Sequence, residues 1–166
     1  MLIRHETPAD ILAIRAVNKA AFGTGAEAAL VDALRENGKF TLSLVACLEG
    51  EVVGHILFTD IEMEPGGAEA RILGLAPMAV LPAWQGKGIG SALVRRGLED
   101  CQELGYRGVV VLGHPAFYPR FGFTPASRHG ISCVYEVPDE VFMAVALGDA
   151  ELPKGRALYQ PEFEAV

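Results

Sequence analysis

Cysteine is scarce in this 166-residue sequence: Cys47, Cys101 and Cys133 stand far apart, with no C-x-x-C pair and no Cys/His cluster of metal-ligand spacing. A disulfide framework and a metal site are therefore set aside, and the three are read as buried free thiols. Long apolar runs are missing too. The longest, residues 108–113 and 141–148, fall far short of the ~20 needed to cross a bilayer, so no membrane role is expected. Arg4, His5, Glu6 and Asp10 occupy the place where a secretory leader would carry its apolar region, which makes the cytoplasm the expected location. Positive charge is in deficit: 14 Lys and Arg against 21 Asp and Glu give a formal net charge of −7. Nucleic-acid binding, which needs a basic face, is not expected. The acidic balance suits a cationic partner such as an amine, although it is too common to weigh heavily.

What is present is a globular composition. Apolar residues make up 51% and charged residues 21%, and 19 glycines and 10 prolines are scattered without a period. The length suits one hydrophobic core, hence a single domain over residues 1–166. After a short apolar start at residues 2–4, Thr7 reads as a helix N-cap with Pro8 at the first helical position and Asp10 in the first turn. Ile11, Ile14, Ala16 or Val17, and Ala21 continue at helical spacing, and a second helix is expected over residues 26–35, between Gly23-Thr24-Gly25 and Asn37-Gly38. Residues 41–48 and 52–61 read as a hairpin about Glu49-Gly50-Glu51, residues 62–69 as a polar loop, and residues 70–80 as a third strand. Pro77 cannot donate to a ladder, so it marks an edge, a bulge or a parting of strands. Ile89, Leu93, Val94, Gly97, Leu98, Cys101 and Leu104 define an amphipathic helix, and the wholly apolar residues 109–112 a covered strand. A brief helix or turn over residues 115–120 and late strands over 132–134 and 140–147 complete a mixed α/β sheet.

Between the third strand and its helix lies Gln85-Gly86-Lys87-Gly88-Ile89-Gly90-Ser91. Glycines here let the backbone turn sharply and offer several N–H groups to one anion at the positive end of the helix dipole, so phosphate is the expected guest. The plainer alternative is that the glycines only make a tight turn. Two familiar phosphate loops do not fit. G-x-G-x-x-G would need glycine at Ser91, and G-x-x-x-x-G-K-S/T occurs nowhere.

Gln85, Gly88 and Gly90 do meet Q/R-x-x-G-x-G/A, the acetyl-coenzyme A signature of the GNAT superfamily of N-acetyltransferases. Upstream, Leu75-Ala76-Pro77-Met78-Ala79-Val80-Leu81-Pro82 resembles the family's fourth strand leading into its pyrophosphate loop. Downstream, Phe117-Tyr118-Pro119-Arg120-Phe121-Gly122-Phe123 resembles the F-Y-x-x-x-G-F segment that the family sets beside the acetyl thioester. The resemblance implies a mixed, largely antiparallel sheet flanked by helices, with the fourth and fifth strands splayed and the cofactor arm in the opening, where a proline is tolerated. It implies acetyl-coenzyme A as co-substrate. The pyrophosphate would meet backbone N–H groups of Gln85, Gly86, Lys87, Gly88, Ile89, Gly90 and Ser91, and the pantetheine arm would pair with Met78, Ala79 and Val80 and lie beside Phe117. Many relatives have asparagine just after the fifth strand, where this chain has Leu112-Gly113-His114-Pro115.

The implied reaction is direct attack of a primary amine, of a small molecule or a protein, on the thioester. An alkyl amine has a pKa near ~10.4, so a base or a water relay must take a proton, and the departing thiolate needs an acid. Tyr118 is the candidate acid, because the family's matching tyrosine lies by the sulfur and a phenol stays protonated at neutral pH; packing alone is the alternative. Glu62, Glu64, Glu69, His114 and water are all candidates for the base. His55 and His129 read as structural, and Lys87, Arg95 and Arg96 suit the coenzyme A phosphates, although an exposed helix face explains the two arginines nearly as well. Two rival functions stay open: a non-catalytic acyl-coenzyme A sensor, and an acetyltransferase acting on a hydroxyl. A homodimer is also left open.

Overall fold

The computed structural model describes residues 1–165. Its strands are β1 (Leu2–His5), β2 (Phe40–Leu48), β3 (Glu51–Glu64), β4 (Gly67–Val80), β5 (Gly108–Leu112), β6 (Thr124–Pro125), β7 (Ile131–Cys133), β8 (Phe142–Ala146) and β9 (Gly155–Leu158). The α-helices are α1 (Ile11–Phe22), α2 (Ala26–Glu36) and α3 (Ile89–Glu103). No described helix is long and apolar enough to cross a membrane. The described residues divide into two compact units: Met1–Phe58, Pro77–Gly97 and 161–165 in one, Thr59–Ala76 and Leu98–Gln160 in the other. The divisions fall inside β3, β4 and α3.

In the first unit β1 runs antiparallel to β2, with Leu2 opposite Cys47, and β2 turns into β3 through Glu49 and Gly50, both at positive φ (50° and 81°). That pair of left-handed residues gives a turn whose twist matches the strands it joins. Helix α1 stops at Gly23, φ 75°, whose N–H donates to Lys19 C=O. Ile14 of α1 and Leu30, Val31 and Leu34 of α2 pack on Val45, Cys47 and Leu57. Strand alternation turns Ala46, Gly54 and Phe58 to the other face. There α3 passes so closely that a Cβ at Gly54 would lie 3.0 Å from Leu93 and 3.1 Å from Ile89. Helices therefore cover both faces of these strands.

His55 sits fully buried on the α1 side, between Asn18 and Ser43. Asn18 Nδ2 donates to Ile14 C=O and lies 3.2 Å from His55 Nδ1, so Nδ1 is the acceptor and Nε2 carries the proton. Nε2–H then donates to Ser43 Oγ at 2.9 Å, and the Ser43 hydroxyl donates to Glu6, which Arg35 grips with two nitrogens at 3.0 Å. Burial, with the Arg35 charge adding to it, holds the imidazole down at about 3. His55 is structural, as its apolar strand implied.

In the second unit β4 pairs with β5 in parallel, Ile72 opposite Gly108 to Leu75 opposite Val111. The other registered pairs there are antiparallel, β5 with β8, β6 with β8 and β3 with β9, except for parallel β7 and β9. The sheet is thus mixed and largely antiparallel, with helices alongside, as expected. Ile61, Met63, Ile72, Val110, Phe142 and Ala144 form the core of this unit.

Three sequence-based boundaries need correction. Residues 62–69 are not a loop: β3 continues through Glu64 and β4 begins at Gly67, leaving only Pro65 and Gly66 between them. Strand β9, which the sequence did not reveal, supplies the reason, since Glu62 pairs with Leu158 and Glu64 with Arg156. The strand expected over residues 140–147 is β8, which starts only at Phe142 because Asp139–Val141 form a 3-10 turn behind Pro138, and β7 lies one residue earlier than expected.

Candidate active site

The glycine loop belongs to the first unit. Strand β4 ends with Met78 half-buried and Ala79 and Val80 buried, and the chain then turns through the 3-10 segment Pro82–Trp84. Two bonds fix that turn: Leu81 N–H donates to Val53 C=O at 2.9 Å, and Gln85 Nε2 donates to Val80 C=O at 3.0 Å. The signature glutamine thus folds its side chain back to clasp the end of the strand, and its own N–H donates to Pro82 C=O at 3.4 Å. Gln85, Gly86, Lys87 and Gly88 are exposed. Gly86 and Gly88 have φ of 75° and 85°, and a Cβ at either would meet nothing within 4 Å. Their need for glycine lies in backbone conformation and in what approaches from outside.

Helix α3 opens with Ala92 N–H donating to Gly88 C=O, so the N–H groups of Ile89, Gly90 and Ser91 precede the ladder and have no partner within the helix. They stand at the positive end of the helix dipole beside an exposed loop, an arrangement that fits an anion such as a pyrophosphate. The Lys87 ammonium lies 5.9 Å from the centroid of the Trp84 ring, which places a cation and an aromatic face on the same turn. Arg96 is engaged elsewhere, donating to Ile3 C=O at 3.1 Å, and Arg95 is exposed on the helix.

Phe117 and Tyr118 belong to the second unit. Tyr118 opens the 3-10 turn Tyr118–Phe121, which ends at Gly122 with φ 93°. Its ring meets Phe117 and Phe123 edge to face at 5.0 and 5.6 Å. Gly113 lies directly against it; a Cβ there would collide with the ring. Tyr118 is 7% exposed, and burial pushes its phenol up to about 12, which keeps it protonated at neutral pH. Phe117 is half-buried, with the Arg120 guanidinium 5.5 Å from its ring centroid.

The base candidates part company. Glu64 is paired with Arg156 at 2.6 Å, whereas Glu62 and Glu69 are exposed on β3 and β4. His114 is exposed, its Nδ1 accepts the Ala116 N–H at 3.2 Å, and its carbonyl accepts the N–H groups of Phe117 and Tyr118. That residue holds the turn carrying the aromatic pair. Cys47 and Cys101 are buried thiols; Cys133 is half-buried, with its sulfur accepting the Tyr135 N–H. Among the described residues no group of three or more His, Cys, Asp or Glu is placed to hold a metal. Gly113 and Trp84 are contributors the sequence reading missed. Gly113 is one glycine among 19, and nothing local in the sequence announces its contact with Tyr118.

Residues 11–123 match the family described as Acetyltransferase (GNAT) family. The chain is 40% identical over 153 residues to the uncharacterized N-acetyltransferase YhbS of Escherichia coli strain K12, covering 92% of this chain and 90% of that protein. Among solved structures, YhbS from Escherichia coli in complex with CoA superposes with a TM-score of 0.93 at 37% identity, over 98% of this chain and 91% of that one. A GNAT family acetyltransferase from Brucella melitensis in complex with acetyl-CoA gives a TM-score of 0.83 at 40% identity, over 98% and 97% of the two chains.

Proposed function

The chain belongs to the acetyltransferase (GNAT) family, and on that premise we propose that it moves the acetyl group of acetyl-coenzyme A to a primary amine. The observation that carries the proposal is the exposed turn at Gln85–Gly88, open beyond its glycines and set on the N-terminus of α3, in a chain so similar to two proteins solved with CoA or acetyl-CoA. Backbone N–H groups of Gly86, Lys87, Gly88, Ile89, Gly90 and Ser91 bind the pyrophosphate, the Gln85 N–H being taken by Pro82 C=O, Lys87 adds a charge, and Met78, Ala79 and Val80 align the pantetheine arm.

In the reaction the amine, having lost a proton to a base or a water relay, attacks the thioester carbonyl carbon. A C–N bond forms, the nitrogen gives its remaining excess proton to the same base or water relay, the C–S bond breaks, and the sulfur takes the Tyr118 phenolic proton, which solvent then restores. A phenol held up at about 12 by burial is in the right form to give that proton at neutral pH. The two units act as one domain, since β3, β4 and α3 run through both.

A thermal-shift titration with acetyl-coenzyme A, run beside a screen of amines for coenzyme A release, tests this reading. Binding to the folded state alone raises the melting temperature by mass action. The expected result is a rise within the millimolar range, together with release that depends on an amine. No response at millimolar acetyl-coenzyme A overturns the proposal, binding without turnover makes the chain a sensor, and turnover with alcohols alone makes it an O-acetyltransferase.

A further inference from the structure

A cavity of about 430 Å³ opens in the second unit, between the 3-10 turn before β7, β7 itself and the loop into β8. Ile131, Phe142 and Val137 give it an apolar lining, the first two 2% and 4% exposed. Tyr135 stands at its rim, 37% exposed, with its ring tilted against Tyr159 at 5.8 Å. The charged side chains in the lining are two carboxylates, Glu136 and Asp139; no lysine or arginine lines it. Both are exposed, and neither is held in an ion pair among the described residues.

Its place in the sheet ties this cavity to Tyr118. Phe142 pairs with Leu112, and the next residue, Gly113, donates its N–H to Val141 C=O at 2.9 Å while lying against the Tyr118 ring. Phe142 and Ala144 share a face with Val110 and Ile131. Val145 points the opposite way, toward Gly122 of the aromatic segment, where a Cβ would lie 3.5 Å from its side chain. The cavity and the aromatic segment therefore flank one strand end from opposite faces.

We infer that this cavity is the acceptor site, and that the acceptor is a primary ammonium carried on an apolar or aromatic stem. The inference rests on the acetyltransferase reading. The apolar lining takes the stem, Tyr135 offers a ring face, and Glu136 and Asp139 collect the cation from water. A volume near 430 Å³ suits a small molecule or one side chain rather than a folded surface. The amine reaches the strand end from one face, and the proton for the sulfur comes from the other.

The test is a titration of the full chain, loaded with coenzyme A, with phenethylamine, hexylamine and L-leucinamide at pH 7, followed by amide NMR shifts. Saturable shifts confined to residues 127–142 are expected for at least one probe, with at least tenfold weaker binding in Glu136→Gln/Asp139→Asn and for the neutral analogue phenethyl alcohol. The double variant changes two exposed side chains, so it folds, and its thermal response to acetyl-coenzyme A stays that of the parent. Absence of saturable shifts in this region for all three amines overturns the inference, as does equal binding by the double variant or by the alcohol. Loss of the acetyl-coenzyme A response in the unaltered chain is a different failure, that of the acetyltransferase reading.

Discussion

Glycine does opposite work at the two ends of the proposed chemistry. At Gly86 and Gly88 a Cβ would meet nothing within 4 Å, whereas at Gly113 it would collide with the Tyr118 ring. The first unit keeps its glycines bare on the outside of an exposed turn; the second uses one to let an aromatic ring sit tight against the backbone. A glycine with empty space around it is explained by its conformation and by a visitor, while a glycine with a ring upon it is explained by packing. Cofactor affinity should be sensitive at the open turn, and stability at the closed one.

The largest effects come from exchanging these roles. Gly88→Val should weaken acetyl-coenzyme A binding at least 100-fold, about 2.8 kcal/mol, while the positive φ of 85° costs the fold about 1–3 kcal/mol in strain. Gly113→Val should destabilise by about 3 kcal/mol through overpacking, seen as a fall in Tm of about 6–12 °C. Isothermal titration and urea unfolding on both variants decide the matter. If Gly88→Val folds and binds normally, the open turn is only a turn.

Next comes a test of how well the first unit is sealed. His55 is held at about 3 in the fold against about 6.5 unfolded, so between those values the unfolded chain binds a proton that the folded chain refuses. This contribution is complete above about pH 6.5 and is lost as pH falls, at about 1.4 kcal/mol per unit. Urea unfolding should show a loss of about 2 kcal/mol between pH 6.5 and 5. A flat profile over that window would mean that water reaches the imidazole.

Smaller is the effect of Tyr118→Phe, which keeps the ring and removes the proton. It should lower kcat at least tenfold, about 1.4 kcal/mol, with little change in KM for acetyl-coenzyme A and in Tm. Full kcat at saturating substrates returns Tyr118 to packing. Smallest is Gln85→Ala, which removes one bond to Val80 C=O, worth about 1 kcal/mol. The expected result is roughly fivefold weaker cofactor binding, and an unchanged Kd would show that the clasp does not hold the turn in shape.

The open turn was legible in the sequence and the closed one only in part. Gln85, Gly88 and Gly90 carry their meaning in local spacing, and the helix that follows announces itself through periodic apolar residues. Phe117 and Tyr118 were readable through family resemblance, but the glycine beneath Tyr118 was not, because its partner is fixed by tertiary packing. Strand β9 is four residues long, and Glu62–Glu64 looks like loop because the pairing that makes it strand comes from residues 156–158. The cavity beside Phe142 escaped for the same reason: its lining becomes a site only once β7 and β8 are in place.

The pairings made by the tail also bear on the order of events during synthesis. Asn37, at the end of α2, donates to Glu162, 125 residues later, and Lys39 bonds the same carboxylate. In the second unit, β3 gains its partner β9 only after residue 158 has been made. Both units are therefore finished by residues that leave the ribosome late. A nascent chain halted just after the glycine loop has α1, α2 and the first hairpin but lacks Glu162, and its β3 lacks the β9 partner beyond Ile61. Such a chain exposes sheet edge and apolar surface, the kind of species that aggregates or engages chaperones.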